Sequence, residues 1–450
     1  MLFRNRFLLL LALAALLAFL SLSLQFFHLI PVSAAKDGVS SKSRKRLMPN
    51  PVTEPPVTDP VYEALLYCNI PSMAERSMEG HAPHHFKLVS VHVFIRHGDR
   101  YPLYTIPKTK RPEVDCTLVA NRKPYHPKLE AFVSHMAKGP GASFESPLNS
   151  LPLYPNHPLC EMGELTQTGV VQHLQNGQLL RDIYLKKHKL LPHNWSTEQL
   201  YLETTGKSRT LQSGLALLYG FLPDFDWKRI YFRHQPSALF CSGSCYCPVR
   251  NQYLEKEQRR QYLFRLKNGP LDRTYGDMAR IVDIPIKQLR AANPIDSMLC
   301  HFCHNVSFPC TRSGCIDMEH FKVIKAHQLD DERERREKKL YFGYSLLGAH
   351  PILNQTIDRM QRAAQGKKVL HLNLSVSINK FLKNTCPVQL TACTVRHWRS
   401  FQVRNNIFKL TLTALFNAEN RVLSGVFKAC SCGFLAPTHD IAELEPLNTA

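Results

Sequence analysis

The sequence predicts an α/β sheet domain flanked by helices, with an inserted helical cap and an N-terminal transmembrane helix in front of it. Three observations predict this. Strand-like and helix-like runs interleave through the body, the pattern of a sheet covered by helices. A proline- and loop-rich stretch, residues 103–165, interrupts that alternation and reads as an inserted cap rather than as sheet. Near the start, residues 7–24 form an apolar run that continues to Ile30 before Pro31.

That first run is longer than the roughly 7–15 residues of a signal-peptide core and fits the ~17–25 residues of a spanning helix. Arg4 and Arg6 lie on its short N-terminal side, so residues 1–6 are expected in the cytosol, residues 7–30 in the membrane and the remainder in the lumen. The alternative is a cleaved signal peptide, for which Val32-Ser33-Ala34-Ala35 offers small residues. Either way the body enters the secretory pathway. Residues 31–60 read as a stem. Ser40-Ser41-Lys42-Ser43-Arg44-Lys45-Arg46 is a solvated basic linker, and Pro49, Pro51, Pro55, Pro56 and Pro60 favour an extended spacer.

The globular body spans residues 61–368. A chain of 450 residues with 44% apolar content can bury a large core. Its 57 Lys+Arg against 36 Asp+Glu give a net charge of +21, which favours acidic partners. A lumenal protein meets little nucleic acid, so that class of partner is set aside. The 14 cysteines read as a disulfide framework of unknown pairing. Cys241, Cys245 and Cys247 make one cluster, and Cys300, Cys303, Cys310 and Cys315 another. His301 and His304 among the latter raise a zinc knuckle as the lesser alternative. Asn194, Asn305, Asn354 and Asn373 each head a glycosylation tripeptide, individually a weak signal. The histidines of Gly80-His81-Ala82-Pro83-His84-His85 read as solvated loop residues.

Residues 86–95 form a short β-rich run, increasingly apolar toward its end, as in a buried strand. A helix is predicted to start at Thr166, with Val170, Leu174, Ile183 and Tyr184 on one face. Residues 199–205 alternate like a second strand. Residues 208–222 follow as a helix striped by Leu211, Leu215 and Leu218. Residues 331–338 carry acid-to-base pairs four apart (Asp331 with Arg335, Glu332 with Arg336, Glu334 with Lys338) and read as a solvated helix face.

The first strand ends at Arg96-His97-Gly98-Asp99-Arg100-Tyr101-Pro102. Cleaving a phosphate monoester requires neutralised oxygens, an in-line nucleophile and a proton for the leaving alcohol. Arginine suits the first task, being always charged and able to bind two oxygens through one planar fork. A neutral imidazole suits the second, through a covalent phosphoryl intermediate. Here one histidine stands between two arginines, just past a strand's C-terminal end, where open α/β sheets bind ligands. Gly98 is expected to clear space for the phosphate. Arg209, after the second strand and at the start of a helix, is the best third clamp, since helix N-termini attract anions. By spacing alone a plain surface arginine is the commoner meaning.

The segment 96–102 resembles the active-site motif of the histidine acid phosphatases. Gly163-Glu164-Leu165-Thr166-Gln167-Thr168-Gly169 and Ser208-Arg209-Thr210 resemble further elements of that family. The resemblance implies that His97 is the nucleophile and that Arg96, Arg100 and Arg209 hold the phosphate. It implies an α/β sheet with a helical cap, no metal and no cofactor. It is narrowest, over roughly residues 1–367, to members that dephosphorylate xylose in the glycosaminoglycan–protein linkage region. That implies a single-pass type II Golgi membrane protein with a lumenal catalytic domain and Golgi glycosyltransferases as partners.

The family also carries a His-Asp pair whose Asp protonates the leaving group, due within about twenty residues of Gly366-Lys367-Lys368. Residues 369–377 alternate like a strand but hold no acid. Between 369 and 438 the only carboxylate side chain is that of Glu419, so residues 369–450 read as an atypical tail. His439-Asp440 is the only later pair, with ten residues after it, and reads as coincidence. The alternative function is therefore a catalytically impaired form that only binds anionic sugar or partner proteins.

Overall fold

A computed structural model describes residues 59–69, 87–140, 150–196, 198–235, 247–337, 340–364, 369–374, 396–403 and 406–408. The expected membrane span and most of the stem, the 80–85 histidines, Cys241, Cys245 and His439-Asp440 lie outside them. Among the described residues no helix is long and apolar enough to cross a membrane.

The body opens with helix α1 (Pro60–Cys68), capped by the Asp59 side chain, which accepts from the Val61 N–H. Strand β1 (Lys87–Ile95) follows, then α2 (Leu129–Lys138) and α3 (Gln167–Leu180). Thr166 caps α3 through its hydroxyl, as the sequence predicts, and a π-helical turn (Arg181–Lys187) extends it. Strand β2 (Leu200–Thr205), α4 (Ser208–Phe221) and β3 (Phe232–Gln235) complete this half. Next come α5 (Pro248–Leu266), α6 (Gly269–Ile281), α7 (Ile286–Ala291) and α8 (Pro294–Cys303). A two-stranded hairpin, β4 (Cys310–Thr311) and β5 (Gly314–Cys315), leads into α9 (Met318–Glu337) and α10 (Leu340–Ala364). Strands β6 (Val369–Leu374), β7 (Arg396–Val403) and β8 (Asn406–Phe408) close the series.

The main sheet runs β3-β2-β6-β1-β7-β8. β1 pairs in parallel with β6 and antiparallel with β7, while β2 pairs in parallel with β3 and β6. From Ser90 to Ile95 every β1 side chain is buried, which explains why that run lacks clean polar alternation. Residues 369–374, placed by the sequence in the atypical tail, thus supply a central strand, and the boundary expected at 368 falls just before it.

One core joins β1, β2 and β3 to α2, α3 and α4. The expected stripes are largely inside: Val170, Leu174, Tyr184, Leu211, Leu215 and Leu218 are fully buried and Ile183 partly so. A second core holds Ala64 of α1 with side chains of α6, α7, α8 and α9. The helical cap therefore lies chiefly in residues 248–337. The 103–165 stretch, the cap expected from the sequence, stays out of the sheet, but its helix α2 packs Leu129, Phe132 and Met136 into the main core. Apolar periodicity on α2 could not tell which core it joins.

The charged stretch at 331–338 also differs from expectation. Arg260 on α5, only 7% exposed, binds Glu257 and Asp331 at 2.8 and 2.7 Å and also pairs with Glu334. Asp331 also pairs with Arg335 as the spacing predicts. This face of α9 is a partly buried ionic seam against α5, not a solvated surface, because a neighbouring helix covers it.

Candidate active site

β1 delivers Arg96, His97, Gly98, Asp99 and Arg100 into a pocket also lined by Tyr67 of α1, Gln172 of α3, and Asp296 and Cys300 of α8. The loop leaving β1 is held tightly. The Gly98 N–H donates to the Ser213 hydroxyl of α4 at 3.1 Å, and the Asp99 N–H to Gln172 Oε1 at 2.8 Å. The Gln172 amide in turn donates to the Cys68 and Asn69 carbonyls at 3.0 and 2.8 Å, tying α1 to the same loop.

The need for glycine at 98 differs from the expectation. A Cβ there would meet the Gly169 backbone at 2.4 Å, and one at Gly169 would meet the Asp99 carbonyl at 2.3 Å. The two glycines let α3 touch the loop backbone directly; clearing room for phosphate is not what the position demands.

His97 is 3% exposed. Its Nδ1 lies 2.7 Å from the Gly98 carbonyl oxygen. A carbonyl can only accept, so Nδ1 carries the proton and Nε2 keeps its lone pair. Burial pushes the His97 pKa well below 6.5, and the charges of Arg96, Arg209 and Arg100 push the same way against the Gly98 bond. The ring is thus neutral, with Nε2 unprotonated, in a strongly cationic setting.

Of the three predicted arginines, Arg96 and Arg100 line the pocket with His97, and the charge of Arg209 also acts on the ring. Arg96 donates from Nη1 to the Tyr67 hydroxyl at 3.4 Å. Arg100 is gripped by Asp296, Nη2 to Oδ1 at 2.9 Å and Nη1 to Oδ2 at 3.2 Å, and also donates from Nη1 to the Tyr101 carbonyl at 2.9 Å. Arg209, near the start of α4, lies beside the positive-φ turn at Gly163. Burial lowers its pKa, and the charges of Arg100 and Arg96 lower it further. Among the described residues, the buried Nε–H groups of Arg100 and Arg209 have no hydrogen-bond partner. The same holds for the Nε–H groups of Arg250, Arg265 and Arg290, away from the pocket.

Sequence reasoning missed three participants. Asp296 has no motif of its own, and 196 residues separate it from Arg100. Tyr67 sits on a helix too short to signal a site. His304 was weighed as a zinc ligand, but its Nε2 lies 2.7 Å from Asp99 Oδ2, which also accepts from the Thr166 hydroxyl at 2.6 Å. Burial raises the Asp99 pKa, but His304, Thr166 and Arg100 outweigh it and hold the carboxyl below 3.8. Burial alone would depress His304; the Asp99 charge and bond raise it above 6.5.

Among the described residues all cysteines but Cys300 are in disulfides, Cys247 included. Cys68 joins Cys303, Cys116 joins Cys160 and Cys310 joins Cys315, while Cys300 is a buried free thiol. Among the described residues the one cluster spaced for a metal is Cys116, Cys160 and Glu164, whose two sulfurs are already in a disulfide. Asn194, Asn305 and Asn354 are exposed, although Thr356 of the Asn354 tripeptide is buried inside α10.

Comparison with known proteins agrees with this geometry. The profile of the histidine phosphatase superfamily (branch 2) matches residues 87–389. The Homo sapiens protein named 2-phosphoxylose phosphatase 1 is 90% identical over 368 residues, covering 82% of this chain and 77% of its own length. The Xenopus tropicalis protein of that name is 63% identical over 391 residues, covering 82% and 78%. The one from Danio rerio is 52% identical over 380 residues, covering 82% and 76%.

Proposed function

Since the chain belongs to the histidine phosphatase superfamily (branch 2), we propose that it removes phosphate from a phosphorylated sugar through a phosphohistidine on His97. The substrate class is carried over from relatives named for phosphoxylose, and a net charge of +21 suits an anionic glycosaminoglycan primer. The observation that carries the reading is a buried imidazole whose Nδ1 bonds the Gly98 carbonyl, leaving the Nε2 lone pair for attack, under the charges of Arg96, Arg209 and Arg100.

In the first half-reaction the Nε2 lone pair forms an N–P bond as the P–O bond to the sugar breaks. Its electrons leave on the sugar oxygen, which must gain a proton. Arg96, Arg100 and Arg209 neutralise the oxygens in flight; removing one such preorganised donor typically costs ~10²–10³ in rate. Water then attacks phosphorus, the N–P bond breaks, and inorganic phosphate departs with Nε2 restored. The detergent-solubilised full chain is expected to hydrolyse a phosphoxylose-bearing linkage oligosaccharide. His97→Ala is expected to lose at least ~10⁴-fold, the scale of removing a covalent nucleophile. Equal turnover by both proteins overturns the reading.

A second reading, impaired protonation of the leaving group, is favoured by one feature. β6 ends beside β1, with Leu374 paired to Ile95, so the chain leaves β6 next to the His97 loop. It continues as Ser375-Val376-Ser377, with no carboxylate before Glu419. Of the pocket carboxylates, Asp99 is held ionised and Asp296 grips Arg100. General-acid help is typically worth ~10²–10⁴-fold. An impaired site would hydrolyse activated aryl phosphates far faster than alkyl phosphates. Comparable rates on both remove this reading.

The setting is read from the same sequence features as before: residues 7–30 as a type II anchor and the catalytic body in the Golgi lumen, with glycosyltransferases as neighbours. The disulfides among the described residues support an oxidising compartment.

A further inference from the structure

Arg100 offers five N–H groups along two forked edges, and Asp296 takes one edge entirely. The end edge, one N–H from each Nη, meets Oδ2 and Oδ1 of Asp296 at 3.2 and 2.9 Å. The other Nη1 proton goes to the Tyr101 carbonyl at 2.9 Å. What remains is the side edge, Nε–H with the adjacent Nη2–H, and among the described residues the buried Nε has no partner. Two parallel N–H groups on one edge match two oxygens of a phosphate.

We infer that Asp296 is a positioning residue for phosphate capture: it clamps the end of the Arg100 guanidinium so that the Nε/Nη2 edge is the one presented to the phosphoryl group. The inference rests on the phosphatase reading of the pocket. Asp296 is well built for such a clamp. It sits in the first turn of α8, and its Oδ2 also accepts the Leu103 N–H at 2.6 Å, so both oxygens are fixed. The C-terminal end of α8 is fastened by the Cys303–Cys68 disulfide to α1, whose last carbonyls are held by Gln172. Its side chain is 14% exposed and that of Arg100 12%, so water competes little for the pair. An unclamped arginine would share its edges among many rotamers, and the phosphate would have to order it on arrival.

The test measures inorganic phosphate binding to the full chain by calorimetry, which needs no turnover, alongside kcat and KM. Asp296→Ala is expected to weaken phosphate binding about ten- to hundredfold, the worth of one charge-assisted hydrogen bond. Asp296→Asn keeps an acceptor for Leu103 and should weaken binding less while still folding. Asp296→Glu should recover part of the loss. In an Arg100→Ala background the Asp296 substitutions should have no further effect on phosphate, because a clamp without its arginine has nothing to hold. Undiminished phosphate binding in Asp296→Ala and Asp296→Asn, or the same loss with and without Arg100, overturns the inference. A wild-type chain that binds phosphate but cleaves no ester would instead count against the phosphatase reading, leaving the clamp to be judged by binding alone.

Discussion

His97 can remain a nucleophile in acid because proton uptake would add a fourth positive charge to a buried cationic site. Burial and the guanidiniums of Arg96, Arg209 and Arg100 favour the neutral ring, so the acidic limb of kcat/KM is expected well below pH 6.5. A limb at or above 6.5 in a pH–rate profile contradicts that account. The Asp99–His304 pair behaves differently. Asp99, lowered below 3.8, contributes stability above its unfolded pKa and loses it as pH falls through the folded value. His304, raised above 6.5, contributes fully below 6.5 and loses it as pH rises through its folded value. Both contributions are full between these limits. The melting temperature of His304→Asn should therefore fall furthest below that of the unsubstituted chain near pH 5, with the gap narrowing above pH 6.5. A gap independent of pH means the pair is not ionic. At this scale the sequence told much about chemistry and little about support. Arg96, His97 and Arg100 are adjacent and declare themselves, while Asp296 and His304 reach the site only through the packing of α8, which no local pattern records.

Elements place those side chains through close backbone contact. α3 meets the loop after β1 where Gly169 faces Gly98 and Asp99, and a methyl at 169 would sit 2.3 Å from the Asp99 carbonyl. Gly169→Ala should cost ~1–3 kcal/mol by overpacking and depress kcat/KM as the loop shifts, readable by denaturant unfolding and kinetics. An unchanged unfolding midpoint would show that the contact yields without strain. Opening the α1–α8 bridge with a Cys68→Ser, Cys303→Ser double substitution should cost ~2–4 kcal/mol and weaken phosphate binding, because α8 carries Asp296. Loss of stability with phosphate affinity intact would separate the bridge from the clamp. Strand β1, helices α3 and α4, and strand β2 were legible because most of their apolar residues fall inside, although β1 and α4 are buried almost all round and so show no one-sided period. The face of α9 was misread because Asp331 and Glu334 look solvated until Arg260 of α5 is seen against them.

Across the described residues, a six-stranded sheet and a separate helical core meet at the pocket: β1 leads into His97 and α8 carries Asp296. The order of strands was not readable, since pairing partners such as β1 and β6 lie far apart in sequence. Nor did helical residues 248–337 announce a core of their own, because apolar stripes give a face but not the surface it meets. The sheet arrangement has one consequence for chemistry. β6 ends beside the loop that carries His97, with Leu374 paired to Ile95, and residues 375–395 lie outside those described. Phosphoryl transfer onto the enzyme is therefore the step most directly tied to the fold. Its measurement is rapid acid-free quenching of the full chain with a radiolabelled aryl phosphate, followed by mapping of the label. The account predicts a base-stable, acid-labile phosphoramidate on His97 that is absent in His97→Ala. Label on another residue, or turnover with no trapped phosphoryl group and no dependence on His97, would contradict it.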